Sequence, residues 1–494
     1  MGKYTPIDDD LRRAADAADA AAFGRIAAPL GKAAAKAKAA EIASAGNEFD
    51  QRDPFEEAEF AEAETFSPAD KLAREQAAGQ LLAGSRVAAY KSRGRGAALN
   101  PKGRFEKYAA VPEPESEAEA LAAQEDGAPP AKYATQVQEE TPRRIITRND
   151  SADIPFDQTV NPYRGCEHGC IYCYARPSHS YMGLSAGLDF ESRLFAKPDA
   201  ARLLRKELAH PGYKPKLIAM GSNTDPYQPI EKQYQLTRGI LQTLYEARHP
   251  VSITTKSALI LRDADILAAM AKDGLAHISI SIETLDGALA RKMDPRAAQP
   301  QKRLAAVAEL AKLKIPVSVM MAPIIPALTD HEIEAIAEAA ANAGAGHFSY
   351  ALLRLPFEVA PLFKDWLLRE YPHKYRRVMG QLRLMRGGKE SDPRPENNPA
   401  ARAGSEGGVR ADWGGERMYG SGVMAALLSR RVAMAAERFG LNKTPLRLTR
   451  RLFQVPESWR AEQEACVRAA ALRRPAAKLS RPSAAPAKAQ LSLF

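Results

Sequence analysis

The stretch VSITTKSALILRDADILAAMAKDGLAHISISIET, residues 251–284, decides the fold class. Its first five residues are β-branched or small, residues 263–272 repeat apolar side chains at helical spacing, and residues 278–282 alternate strictly. A strand, a helix and a strand within about 30 residues form a β-α-β unit, with parallel strands and a right-handed crossover. The same texture continues on both sides. Residues 216–220 (KLIAM), 316–321 (PVSVMM) and 348–353 (FSYALL) read as further strands, and a first strand at 159–163 brings the count to six. Helices are expected at 199–209, 233–248, 301–314 and 330–343. Six such units fit a partial barrel or an open doubly wound sheet, and periodicity does not choose between them.

The chain has 494 residues, 45% hydrophobic and 26% charged, which excludes a wholly disordered chain. No run approaches the roughly 18 apolar residues of a membrane span, and the start MGKYTPIDDDLRR lacks the order of a secretory leader. A cytoplasmic protein with no membrane partner is expected. Residues 1–135 are rich in Ala and charge with few large side chains, so a disordered Ala-rich extension of linker and fraying helix is expected there. Within it, GRGAALNPKGRFEKY (94–108) reads first as a basic loop docked on the main domain and second as a nucleic-acid contact. The strand–helix core covers 144–355. A basic helical appendage covers 356–465, and 466–494, without an acidic residue, reads as a flexible basic tail. The net charge of +10 favours a polyanionic partner, nucleic acid first.

Four cysteines are too few for a disulfide framework, and three of them crowd into NPYRGCEHGCIYCYARPSH (161–179). Cys166, Cys170 and Cys173 follow a C-x3-C-x2-C spacing directly after a predicted strand. Three thiolates on one short loop can hold three corners of an iron–sulfur cube, leaving the fourth iron without a protein ligand. A zinc site completed by His168 or His179, or a metal-free cysteine cluster, stays open, although zinc favours paired C-x2-C arms. Cys466 reads as buried or inert. In parallel α/β proteins chemistry gathers beyond the carboxyl ends of the strands, and those ends are polar here. Gly221 allows close backbone approach, while Ser222, Asn223 and Asp225 offer bonds to an amine or to ribose hydroxyls. Lys256 can pair a carboxylate, and Ser279, Ser281 and Glu283 alternate on one face. Arg354 ends the sixth strand, Arg291 reads as a surface helix residue, and Tyr163, Tyr172 and Tyr174 offer rings that stack on bases or simply pack.

The cysteine loop resembles the C-x3-C-x(aromatic)-C signature of radical S-adenosylmethionine (SAM) enzymes, with Tyr172 as the aromatic. The order of elements after it is similar to the spore photoproduct lyase-like branch, also called DNA repair photolyase-like; the resemblance covers residues 144–355. It implies an α/β fold with a partial (β/α)6 TIM-type barrel of parallel strands. It also implies a [4Fe–4S] cluster held by Cys166, Cys170 and Cys173, with SAM bound through its methionyl amine and carboxylate. One electron, from a reductant such as flavodoxin or ferredoxin, would cleave the sulfonium to methionine and a 5′-deoxyadenosyl radical that takes hydrogen from substrate. By the same resemblance the Gly221 to Asp225 stretch would meet the methionyl amine and Lys256 the carboxylate. Tyr172, Ser281 and Glu283 would complete the cofactor site, and Tyr163 and Arg354 would act on substrate. One position departs from the pattern. The lyase has a hydrogen-donating cysteine where Ser222 stands, and a serine O–H bond is too strong for that role. A tyrosine donor, a different lesion and a different substrate each fit.

The chain ends Gln490-Leu491-Ser492-Leu493-Phe494, which resembles the peptide by which bacterial repair proteins bind the β sliding clamp. Leu491, Leu493 and Phe494 would fill an apolar pocket and Gln490 would orient them. The expectation is therefore a radical SAM enzyme acting on damaged or modified pyrimidine bases in DNA and recruited by the clamp. A radical SAM enzyme modifying RNA or protein, and a non-enzymatic clamp-tethered iron–sulfur or zinc module, are the alternatives.

Overall fold

The structure is a computed structural model that describes residues 94–101, 105, 134–149, 154, 156–388 and 414–461. Most of the expected N-terminal extension, Cys466 and the Gln490 to Phe494 peptide lie outside the described residues.

The described strands are β1 Gln136–Glu139, β2 Ile146–Arg148, β3 Gln158–Val160, β4 Tyr163–Arg164, β5 Arg193–Ala196, β6 Ile218–Met220, β7 Val251–Thr255, β8 Ala276–Ser281, β9 Val317–Ile324 and β10 His347–Leu352. Seven of them form one sheet in the order β2-β3-β6-β7-β8-β9-β10, and β1, β5 and β4 form a second. From β3 to β10 every neighbouring pair is parallel, and only β2 runs antiparallel to β3. A doubly wound sheet reverses its strand order at a switch point. No reversal occurs here, so the crossover helices stay on one face and six parallel strands curl into a partial (β/α)6 barrel. Helices α1 Ala200–Leu208, α2 Leu236–Glu246, α3 Ala264–Lys272, α4 Pro300–Lys312 and α5 Ile333–Asn342 fill the expected positions. The first strand differs from expectation. Pro162 has no N–H to give a ladder, so the barrel strand stops at Val160 and Tyr163–Arg164 passes to the second sheet.

The pleat separates two kinds of side chain. Val160, Met220, Ile253, Ile280 and Val319 point to the helices and belong to one continuous core. Register puts Thr159, Ser252, Thr254, Ser279 and Ser281 on the opposite, inner face. Each fully buried aliphatic side chain on the helix side contributes about 1.5–3 kcal/mol; the inner face offers small hydroxyls instead. The barrel is thus stabilised from outside and leaves a polar lumen. Toward the amino ends of the strands, His277 is bonded by Ser252 Oγ at 3.1 Å and Ser318 Oγ at 3.0 Å.

Burial holds His179 and His249 down to about 4 and His277 to about 3. In the unfolded chain each titrates near 6.5. Below that pH the unfolded state binds up to three more protons, so stability falls by about 1.4 kcal/mol per pH unit for each, roughly 4 in total. Acid unfolding followed by circular dichroism is expected to begin below pH 6.5 and to be complete near the folded values of about 4. Stability that stays flat between those limits would contradict the neutral state of these imidazoles.

The helices after residue 355 pack on the barrel rather than standing apart. On α6 Val359–Glu370, Phe363 and Trp366 share a core with Cys170, Ile171 and Tyr172. Next come α7 Tyr375–Leu384 and α8 Gly422–Arg438, the latter tied to α5 by Arg431 and Glu334 at 2.7 Å. The outer edge of β10 is closed by a side chain. Asn442 accepts from the Phe348 amide and donates to the Phe348 carbonyl, both at 2.9 Å. Among the described residues no helix is long and apolar enough to cross a membrane.

Candidate active site at the cysteine loop

The loop from Gly165 to Ala175 follows β4, a few residues beyond the carboxyl end of β3, and runs into a short 3-10 helix, Arg176–Met182. Its turns are closed by the amides of Gly169 and Cys173, which bond the carbonyls of Cys166 and Cys170. The Cys166 amide is held by the Phe190 carbonyl at 3.0 Å and the Ile171 amide by that of Met293, also at 3.0 Å. From inside, the fully buried Arg176 donates Nε to the Cys170 carbonyl at 2.9 Å and Nη2 to the Gly169 carbonyl at 3.2 Å. A short loop with this many anchors holds its three side chains in fixed directions.

All three thiols are free, two buried and Cys173 partly so. Burial pushes the Cys170 and Cys173 thiols up, so loss of their protons is coupled to metal binding. Of the imidazoles weighed as zinc ligands, His179 is engaged away from the cysteines, while His168 lies between Asp225 and Cys166 and is hydrogen-bonded to both. His179 bonds the Arg193 carbonyl through Nε2 at 2.9 Å with its ring edge-on to Phe190, and His168 Nδ1 lies 3.2 Å from Asp225. Among the described residues no three His, Cys, Asp or Glu side chains converge as a single ion requires. Three thiols without a fourth protein ligand fit the corners of an iron–sulfur cube better than a four-coordinate zinc.

Beyond the strand ends the expected site residues are tied into the chain itself. Gly221 is required by the neighbouring strand: φ is 90°, and a Cβ there would lie 2.1 Å from the Thr254 carbonyl oxygen. Both oxygens of Asp225 are taken by the chain itself. Thr255 Oγ1 at 2.7 Å and the Tyr227 amide at 2.8 Å bond one, and the Lys256 amide at 2.8 Å and His168 bond the other. Burial would raise this carboxyl, but His168 and these donors hold it near 2, while His168 is itself raised to about 10 against the effect of burial. Asp225 therefore fastens the cysteine loop to β7. The Ser222 hydroxyl and Asn223 amide bond the Asn161 side chain, at 3.4 and 3.3 Å, and the Ser222 carbonyl accepts from Tyr174.

Tyr163, expected to act on substrate, is fully buried with Leu194 and Ala196, its hydroxyl donated to Glu231. It belongs to packing behind the second sheet. Arg354 lies over the Tyr174 ring at 5.3 Å. Arg291 is exposed.

Lys256 and Glu283 meet at 2.7 Å, and they belong to a larger network. Arg303 bonds Glu283 at 2.7 Å and Asp294 at 3.0 Å, and Asp294 accepts from the Tyr172 hydroxyl. Lys256 lies 5.7 Å from the centre of the Tyr172 ring. Two cations and two carboxylates balance each other directly beneath the cysteine loop, with Arg303, Glu283 and Asp294 out of water and Lys256 partly open to it. Arg303 and Asp294 were not anticipated. A signal existed: Arg303 occupies the apolar face of α4 together with Ala306, Val307 and Leu310, where only a paired charge is tolerated. On the lumen face beside this network, the buried Ser279 hydroxyl has no hydrogen-bond partner among the described residues. An orphaned hydroxyl in a polar lumen is a fitting contact for a bound small molecule such as SAM.

A sequence model described as the radical SAM superfamily matches residues 160–340. An uncharacterized protein of Mycobacterium tuberculosis is 36% identical over 225 residues, covering 45% of this chain and 66% of its own length. An uncharacterized protein of Methanocaldococcus jannaschii is 30% identical over 227 residues, covering 46% of this chain and 81% of its own. This chain therefore spans just under two thirds of the mycobacterial relative. Among solved structures, spore photoproduct lyase complexed with dinucleoside spore photoproduct aligns at TM-score 0.36 and 13% identity, over 48% of this chain and 66% of that one.

Proposed function

As the chain belongs to the radical SAM superfamily, we propose that it acts on damaged or modified pyrimidine bases in DNA, in the manner of a photolyase-like repair enzyme, and is recruited by the sliding clamp. The chemistry rests on one observation, the three-thiol loop poised over a polar lumen at the carboxyl ends of six parallel strands. Cluster and SAM, when bound, supply one-electron cleavage of the sulfonium to methionine and a 5′-deoxyadenosyl radical.

The chain's own residues bind, orient and exclude water. Cys166, Cys170 and Cys173 would hold the cluster. Lys256, paired with Glu283 at 2.7 Å and partly open to solvent, is placed to take a carboxylate. Ser279 and Ser281 offer hydroxyls on the lumen face, and Ser222 and Asn223 stand at its rim. The Arg354–Tyr174 stack suits a substrate that is both aromatic and anionic, as a nucleotide is.

The choice of DNA is supported by the Gln490 to Phe494 peptide and by the basic tail before it. Tethering would raise the local concentration of duplex, the tail would add sequence-independent attraction that weakens with salt, and a flipped nucleotide would reach the lumen. A flavodoxin or ferredoxin type of reductant is part of this reading.

The test is 5′-deoxyadenosine formed by anaerobically reconstituted, reduced protein with SAM, with and without ultraviolet-irradiated duplex DNA. Stimulation by irradiated DNA alone is expected; stimulation by RNA or a protein instead would overturn the substrate, and no product at all would leave a binding module. For the clamp, Phe494→Ala should weaken retention on immobilised clamp by at least about tenfold, the loss typical of an aromatic anchor. Equal retention would remove the clamp from the proposal.

A further inference from the structure

Well before residue 160, where the superfamily match begins, a short segment is built into the cysteine loop. We infer that this strap, Arg95 to Pro101, forms the outer wall of the cluster site and positions its thiols, an inference that rests on the cluster assignment above.

The strap is not a surface loop. Ala97, Ala98 and Leu99 are buried, and Ala97 and Leu99 share a core with Cys170, Ile171 and Tyr172. Its backbone touches the cysteine loop directly. A Cβ on Gly96 would stand 1.9 Å from the Gly169 carbonyl oxygen, so only glycine fits at that crossing. One step further along, a Cβ on Gly187 would stand 2.0 Å from the Leu99 carbonyl oxygen. The strap is pinched between two backbones.

Hydrogen bonds join the same parts. The amides of Gly96 and Ala97 each donate to Glu191, at 2.9 Å, one to each carboxylate oxygen. Glu191 is fully buried and pairs with Arg176, whose guanidinium holds the Gly169 and Cys170 carbonyls. The line from strap amide to carboxylate to guanidinium to cysteine-loop carbonyl contains no water-facing link. A second line starts at Arg95, which bonds the Glu191 carbonyl at 2.6 Å and Thr135 at 2.9 Å. Thr135 in turn donates to Glu167, the residue after Cys166. Without the strap, Glu191 would lose two donors and the back of the Gly169–Cys170 turn would face solvent.

Two consequences distinguish a positioning wall from mere stabilisation. Water reaching the loop would shelter the more negative, reduced cluster and so raise its midpoint potential, and it would open the cluster to attack in air. The experiment uses the full chain, anaerobically reconstituted, in parent, Gly96→Val and Arg95→Ala forms, and reads iron per chain, midpoint potential and the rate of cluster bleaching in air. Gly96→Val is expected to bleach about tenfold faster with an upward shift in potential, the size of effect seen for outer partners of metal ligands. Arg95→Ala, at a partly exposed position that should not prevent folding, is expected to move both readouts the same way by less. Unchanged bleaching and potential in folded Arg95→Ala, whether or not Gly96→Val folds, would overturn the inference. A parent chain that takes up no iron would instead overturn the cluster assignment on which it rests.

Discussion

Cys170→Ala is expected to strip iron from the reconstituted protein and to bring 5′-deoxyadenosine formation down to background, with Cys166→Ala and Cys173→Ala falling to the same floor. The three thiols act as a unit, so losing one should cost as much as losing all. The fold should survive, because Cys170 sits among Ala97, Ile171 and Tyr172 and an alanine there removes only a sulfur from an apolar pocket. Circular dichroism of the apo variants would then match the parent while iron analysis and product assays do not. Cofactor cleavage that persists in all three variants would refute the assignment of these residues to the cluster.

Arg303→Leu should produce the largest loss of stability of any single change near the site. Arg303 is buried and touches both carboxylates of the network, Glu283 at 2.7 Å and Asp294 at 3.0 Å. Removing one partner of a buried ion pair costs about 3–5 kcal/mol, because the opposite charge stays behind without compensation. Here two carboxylates would share the remaining Lys256, and Tyr172 would be tied to an unbalanced Asp294. Denaturant unfolding should place the variant's midpoint far below the parent's, and adding Asp294→Asn should recover part of the difference by removing one stranded charge. A drop of less than about 1 kcal/mol, the range of a surface pair, would mean that water reaches these two carboxylates.

The barrel could be read from the sequence because parallel strands covered by helices show as short β-branched runs, and every expected run from 216 to 353 became a strand of the sheet. What periodicity left open, barrel or doubly wound sheet, was settled by strand order, a property of pairing that no local pattern contains. The cysteine loop was legible because its chemistry is written along a few consecutive residues. The charge network was not, since Lys256, Glu283, Asp294 and Arg303 come from separate segments and their balance exists only once those segments meet. Tyr163 was misjudged for a related reason. Adjacency to the motif suggested a place in the site, whereas Pro162 turns the chain away from the barrel one residue earlier. Asp225 and Gly221 were recognised as special, and part of the demand on them comes from the packing of neighbouring backbone, which no local pattern displays. The 94–108 island was read first as a docked loop, and its Arg95 to Pro101 part is docked.

The closure of β10 by Asn442 bears on how the protein behaves when crowded. An incomplete barrel has a free margin, and a free margin invites a stranger's strand, the first step of polymerisation. Here the outward amide and carbonyl of Phe348 are both spent on one side-chain amide, and Tyr419 packs against the next outward-pairing residue, Tyr350, with ring centres 5.1 Å apart. Asn442 is at φ 59°, a backbone state that asparagine tolerates far better than branched residues do. The open margin of the barrel is thus shielded at Phe348 from a second copy's strand, by a residue far in sequence from the cysteine loop.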